Sequence, residues 1–219
     1  MTSALSAPAE RACCWSCGAV HALSLFCPAC EAIQPLPVNA DYFQIFGIER
    51  RLVLDGTSLE RRYFDLSRRL HPDRYQTGPS QARIASLDST AALNRAYRAL
   101  RDPVERGAYW LGLQGQSLGE NNNRVPPALA EQVFDVQDKL AQLRVTGEPG
   151  SPLLQQMRNI RADLERQREI LAARLQDNFS RWDAGTADPK ALTAQLKDLL
   201  SEVAYLRKLM RDVDKELNR

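Results

Sequence analysis

The chain has 219 residues, 44% of them hydrophobic and 26% charged, which fits one or two folded domains and excludes a disordered polyelectrolyte. A net charge of +2 gives no footprint for nucleic acid, and no apolar run approaches the ~20 residues that span a bilayer. Met1 to Glu10 lack the basic and long apolar regions of a signal peptide and read poorly as a transit peptide, so the expected compartment is the cytoplasm, a bacterial cytosol in particular.

All five cysteines lie between Cys13 and Cys30. Cys14-Trp15-Ser16-Cys17 and Cys27-Pro28-Ala29-Cys30 are two C-x-x-C pairs nine residues apart. Each turn points two thiolates to one side, and two such turns can close a tetrahedral site at the ~2.3 Å Zn–S distance. Gly18 and Pro28 suit the tight turns. One structural zinc per chain is the expected cofactor, held by Cys14, Cys17, Cys27 and Cys30. Iron on the same thiolates, disulfides and a redox pair compete with that reading. A chain without a secretory signal disfavours disulfides, and the lack of a βαβ pattern disfavours a redox motif. Cys13 is an odd thiol that could replace Cys14, and His21 is an alternative ligand. Four cysteines leave no open coordination position, so catalysis at the metal is not expected. Residues 1–38 form this N-terminal region, with the knuckle at about 13–31 and an extended stretch around Pro35 and Pro37 after it.

Asp41-Tyr42-Phe43-Gln44-Ile45-Phe46-Gly47 opens the next region. Asp55-Gly56-Thr57 followed by Glu60 reads as a turn and then a capping box, with Thr57 as N-cap. Leu59, Tyr63, Leu66 and Leu70 then share one helical face, while Arg61, Arg62, Arg68 and Arg69 gather on a roughly opposite arc. Pro72 fixes its own φ and pushes His71 out of the α region. The helix should therefore stop at about Leu70 and present His71, Pro72 and Asp73 on a short, stiff, exposed loop. A second helix is predicted with Leu93, Ala96, Tyr97 and Leu100 on one face and Asp102-Pro103 as its stop.

With those flanks, and with Leu93-Asn94-Arg95-Ala96-Tyr97-Arg98-Ala99-Leu100 behind the loop, Asp41 to about Leu113 resembles a J-domain. That is the module by which DnaJ-type co-chaperones engage the ATPase domain of a DnaK-type chaperone. The resemblance implies that Arg61, Arg62, Arg68 and Arg69 meet an acidic surface of the ATPase while His71, Pro72 and Asp73 trigger hydrolysis. Clustered arginines suit that work, because they steer association and pair bidentately with carboxylates.

Gln114 to Pro127 is rich in Gly and Asn and marks a boundary, giving a J-like domain at 39–115, a linker at 116–127 and a C-terminal domain at 128–219. Three helical patterns follow. The first runs from about Ala128 to Arg144. The second starts near Leu153 and carries Met157, Ile160, Leu164, Leu171 and Leu175. The third starts at about Lys190 and carries Leu192, Leu196, Leu199, Val203, Leu206, Met210, Val213 and Leu217 on one stripe. Turn-sized breaks at 146–152 and 183–189 separate them. The predicted fold is all-α: a helical J-domain followed by a three-helix, coiled-coil-like bundle, preceded by a small zinc knuckle.

A J-domain followed directly by a short bundle resembles the HscB family, co-chaperones of iron–sulfur cluster biogenesis, in the form with an N-terminal four-cysteine knuckle. Arg106-Gly107-Ala108-Tyr109-Trp110-Leu111-Gly112-Leu113 and Tyr205-Leu206-Arg207-Lys208-Leu209 are similar to runs of that family, as are both cysteine pairs with Gly18 and Phe26 beside them. The resemblance implies a non-enzymatic protein that stimulates a DnaK/HscA-type ATPase and delivers the IscU-type scaffold to it. The scaffold-binding patch of the family aligns with Leu129, Ala130, Phe134, Asp135 and Asp138, while Glu131 departs from a methionine of the family pattern. Leu129, Val133, Val136 and Leu140 already make a core stripe, which leaves Phe134 off-stripe beside acids. A general J-domain co-chaperone for another client, and a cysteine-based redox or metal-transfer protein, are the alternatives. Neither nucleic acid nor a membrane is an expected partner.

Overall fold

The computed structural model describes residues 11–37, 40–118, 125–146 and 152–218. The chain divides into two compact units, Met1–Glu105 and Arg106–Arg219. The middle of the expected linker, residues 119–124, lies outside the described residues.

The first unit begins with a two-stranded antiparallel ribbon, β1 (Arg11–Cys13) and β2 (Val20–Ala22), in which Ala12 faces His21. No alternating pattern announces these strands. Three residues each are too few to alternate, and the turn between them, not their side chains, sets their register.

Helix α1 (Tyr42–Phe46) is a single turn held at both ends. Asp41 accepts from the Phe43 N–H at 2.9 Å and pairs with Arg50. Gly47 closes it in the left-handed region at φ 59°, and its N–H donates to Gln44. An added Cβ at Gly47 would lie 2.8 Å from the tip of the Arg62 side chain, which can swing aside, so it is the left-handed φ that favours glycine there. Phe43, Ile45 and Phe46 are buried, and α1 packs on helix α3 (Ser80–Arg101).

Helix α2 (Gly56–Leu70) starts earlier than the capping box predicts. Its N-cap is Asp55, not Thr57: the Asp55 carboxylate accepts from the Thr57 N–H at 2.9 Å and from the Ser58 hydroxyl at 2.8 Å. A carboxylate outcompetes a hydroxyl for free helix N–H groups. The Ser58 hydroxyl and then the Thr57 N–H hold the Asp55 carboxyl below its ordinary value. Glu60, freed from a capping role, accepts instead from the Tyr97 hydroxyl at 3.4 Å. Helices α2 and α3 pack together with Leu59, Leu66 and Leu70 buried.

Asp102 stops α3 and starts α4 (Pro103–Leu113), accepting from the Val104 N–H at 2.7 Å. The division between units falls inside α4, one helix away from the sequence boundary at residue 115. The reason is Gly107, where an added Cβ would meet Leu196 and Leu200 at 3.2–3.3 Å.

The second unit is α4 from Arg106 onward with α5 (Ala130–Thr146), α6 (Pro152–Ala184) and α7 (Pro189–Leu217). The break between α6 and α7 has its signals: Gly185 is left-handed at φ 62°, and Asp188 caps α7 with Pro189 in its first turn, while residues 147–151, in the expected break before α6, lie outside the described residues. Helices α6 and α7 bury Met157, Leu164, Leu171, Leu175 and Phe179 against Leu192, Leu196, Leu199, Val203, Leu206 and Val213. Leu200 and Leu209 are buried too, on opposite flanks of that stripe, which widens the apolar face of α7. Arg161 of α6 bridges to Asp214 of α7 at 2.6 Å and to Glu165 at 2.8 Å.

Candidate functional site

Three groups of residues carry chemistry. In the knuckle, two turns are built on one plan. The Gly18 N–H donates to the Cys14 carbonyl and the Cys14 N–H to Ala19. Likewise, the Glu31 N–H donates to the Cys27 carbonyl and the Cys27 N–H to Ala32. The residue after each second cysteine is left-handed, Gly18 at φ 74° and Glu31 at φ 58°. Phe26 bridges to Ile33, and the Trp15 indole N–H donates to the Ile33 carbonyl at 2.6 Å, locking the turns together.

The four thiols converge. Sulfurs of Cys14, Cys17, Cys27 and Cys30 all lie within 4.8 Å of one another, with Cys14–Cys30 at 3.6 Å and Cys17–Cys27 at 3.8 Å. A tetrahedron of Zn–S bonds has an edge of about 3.8 Å, so the spacing fits a metal. Cys14 and Cys27 are buried, while Cys17 and Cys30 face outward. N–H groups of Ser16, Cys17 and Ala29, and the Gln34 amide, aim at the sulfurs at 3.3–3.5 Å. Burial opposes ionisation of Cys14, but N–H donors of Cys17 and Ser16 and the neighbouring thiols bring it down to about 6. The Ala19 backbone favours the Cys17 thiolate, yet Cys30, burial, Cys14 and Cys27 together push Cys17 up to about 12. Thiols this close ionise in turn, unless a cation holds all four charges.

All five cysteines are free of disulfides. Cys13 and His21 stand outside the cluster: the Cys13 thiol donates to the Gly18 carbonyl at 3.3 Å, and His21 Nδ1 lies 2.8 Å from the Ala22 carbonyl. Glu31→Gly is expected to stabilise the second turn by about 1 kcal/mol, because only glycine is at ease in the left-handed region. Chelator-driven metal release from the variant should then be about fivefold slower than from wild type; faster release would refute this account.

The second group is the loop after α2. Leu70 is fully buried, and its carbonyl accepts from the Ser86 hydroxyl at 2.6 Å and the Thr90 hydroxyl at 3.3 Å. His71 is extended at φ −54°, ψ 128°, and Pro72–Tyr75 form a 3-10 turn. His71 and Asp73 stay exposed, with His71 Nδ1 3.5 Å from the Asp73 carboxylate and the Gln76 amide donating to Asp73 at 3.0 Å. The Tyr75 hydroxyl returns to the Arg69 carbonyl at 3.0 Å. Anchors Ser86 and Thr90 escaped sequence reading; small hydroxyls one turn apart on the α2-facing side of α3 were the available sign.

The four arginines of α2 are exposed but differently engaged. Arg62 donates to the Phe46 and Gly47 carbonyls that end α1, and Arg68 pairs with Asp65 at 2.5 Å. Arg69 lies over the Phe26 ring at 4.0 Å. Arg61 lies close enough to Asp55 to act on its charge.

The third group is on α5. Val133, Val136 and Leu140 are buried, while Phe134 is 73% exposed. Asp135 pairs with Lys139, and Asp138 accepts from Gln142 at 2.8 Å. Leu129 must be corrected: it is 2% exposed, part of the core stripe that starts with the turn Pro127–Leu129, and offers no surface to a partner. Ala130 is half-buried.

No family model matches the sequence. A co-chaperone protein HscB homolog of Aliivibrio fischeri is 31% identical over 123 residues, covering 56% of this chain and 72% of that protein. The chain belongs to the HscB family. An iron-sulfur cluster co-chaperone protein HscB homolog of Arabidopsis thaliana is 33% identical over 129 residues, 59% of this chain; the match spans 51% of that HscB protein, about half its length. Human HscB shares the fold, with a TM-score of 0.72 at 23% identity over 92% of this chain and 96% of that one. HscB from Vibrio cholerae does so at 0.62, with 20% identity over 80% and 96%. The largely helical architecture described above is the HscB fold, and this chain carries its cysteine cluster near the N-terminus. Among the described residues, no helix is long and apolar enough to cross a membrane.

Proposed function

We propose that this protein is a non-enzymatic co-chaperone of iron–sulfur cluster assembly. Its J-like unit stimulates the ATPase of a DnaK/HscA-type chaperone, and its helical bundle delivers an IscU-type scaffold. The single observation that carries the first half is the His71-Pro72-Asp73 loop, rigid at its root through Leu70, exposed at its tip and set beside an arginine-bearing helix. An exposed imidazole and carboxylate on a short surface loop suit recognition better than catalysis. A single-turnover ATPase assay with a purified DnaK-type chaperone tests it, and wild-type protein should accelerate hydrolysis.

The delivery half rests on Phe134, an aromatic ring held out of the core beside Asp135 and Asp138. Exposed aromatics with a polar rim are what interfaces are built on. In calorimetry against an IscU-type scaffold, Phe134→Ala should weaken binding by about tenfold. Because that ring buries little in the free protein, thermal stability should not change. Absence of measurable binding by wild type would reject the delivery role. A structural zinc on Cys14, Cys17, Cys27 and Cys30 completes the proposal, in the cytosol, where such thiols stay reduced.

A further inference from the structure

Phe26 belongs to the cysteine knuckle and Arg69 to the basic helix, yet the two meet. The Arg69 guanidinium carbon sits 4.0 Å from the centroid of the Phe26 ring. Around that contact the knuckle and the J-like helices enclose a cleft lined by Leu25, Phe26, Pro28, Phe46, Leu66 and Arg69. The Phe26 backbone that carries the ring is held at three points: its strand bridge to Ile33, the Ser24 hydroxyl donating to its carbonyl at 2.6 Å, and Cys27 of the thiol cluster as the next residue.

Arg69 differs from Arg68 and Arg62 in what it leaves free. Arg68 is paired with a carboxylate, and Arg62 spends its donors on the carbonyls of Phe46 and Gly47. A guanidinium lying over a ring uses its π face, while the five N–H donors on its rim remain available. The side chain stays exposed. Such an arginine has already lost much of its rotamer freedom and can still take a carboxylate bidentately.

We propose that Phe26 is a positioning residue for Arg69, so that the knuckle presents this arginine, pre-ordered, to a carboxylate on an acidic protein partner. The inference rests on the co-chaperone reading, which makes that partner the DnaK-type ATPase. It gives the knuckle a part in partner recognition at a residue away from its four thiols.

The test uses the full, metal-loaded chain and a purified DnaK-type chaperone. Phe26→Leu keeps an apolar side chain but removes the π face, and Phe26→Trp restores one. In the arginine side-chain NMR spectrum, the Arg69 Nε–H signal should be shifted by the ring in wild type and Phe26→Trp, and not in Phe26→Leu. Affinity for the chaperone should fall by about two- to fivefold in Phe26→Leu and recover in Phe26→Trp. In Arg69→Ala it should fall further, and Phe26→Leu should add nothing to that loss. Equal binding by wild type and Phe26→Leu, alongside weaker binding by Arg69→Ala, would overturn the proposal alone. So would additive losses, or an unshifted Arg69 signal. No stimulation of the ATPase by wild type would overturn the co-chaperone reading and this inference with it.

Discussion

Asp73→Asn is expected to reduce stimulation of the partner ATPase by about ten- to a hundredfold, the worth of one charge-assisted hydrogen bond of roughly 1.5–3 kcal/mol. The substitution changes charge and almost nothing else. Asn keeps an oxygen where the Gln76 amide donates at 3.0 Å, and the side chain is 71% exposed, so no core packing is touched. Helix α2 ends on Leu70, not on Asp73, and its clamp to Ser86 and Thr90 survives. Thermal unfolding of the variant should therefore match wild type, separating loss of function from loss of fold. The measurement is a single-turnover ATPase assay with both proteins at saturating concentration. Equal stimulation by the two would remove the loop from its proposed role.

The other large effect is on the knuckle. Cys27→Ser, or prolonged chelation, is expected to release the metal and unfold the segment around it. Cys27 is 1% exposed and its sulfur lies 3.8 Å from that of Cys17, so a hydroxyl there leaves three thiolates without a fourth corner. A segment this short has too little apolar core to fold unaided. Structural zinc supplies on the order of 10 kcal/mol to small zinc folds, far more than the few apolar contacts of the knuckle. Elemental analysis should find about one zinc per wild-type chain and almost none in Cys27→Ser. The helical circular dichroism should change little, since the strands and turns of the knuckle contribute little to it. A variant that keeps its full metal content would contradict a four-thiolate site.

Much of this molecule could be read from spacing alone. Paired C-x-x-C turns predict converging thiols, and the sulfurs of Cys14, Cys17, Cys27 and Cys30 do converge. Pro72 predicts the end of α2 at Leu70, and leucine steps bounded by Gly185 and Pro189 predict α6 and α7. What could not be read depends on competition or on distance. At the start of α2, Asp55 and Thr57 are both good caps, and only the observed hydrogen bonds show which one won. Leu129 satisfies a surface motif and a core stripe at once, and burial decided for the core. Gly107 carries no periodicity of its own; its significance is the leucines of α7 that it lets approach, some ninety residues on. The meeting of Phe26 with Arg69 joins two segments with no shared pattern at all.

Two hydroxyls on the Leu70 carbonyl bear on timing. Because Ser86 and Thr90 settle the root of the loop during folding, no segment there has to find its shape when a partner arrives. Encounter is then limited by diffusion and orientation, and the arginines beside the loop can raise that rate. Capture and release should be quick and strongly salt-dependent, as the proposed co-chaperone role would require.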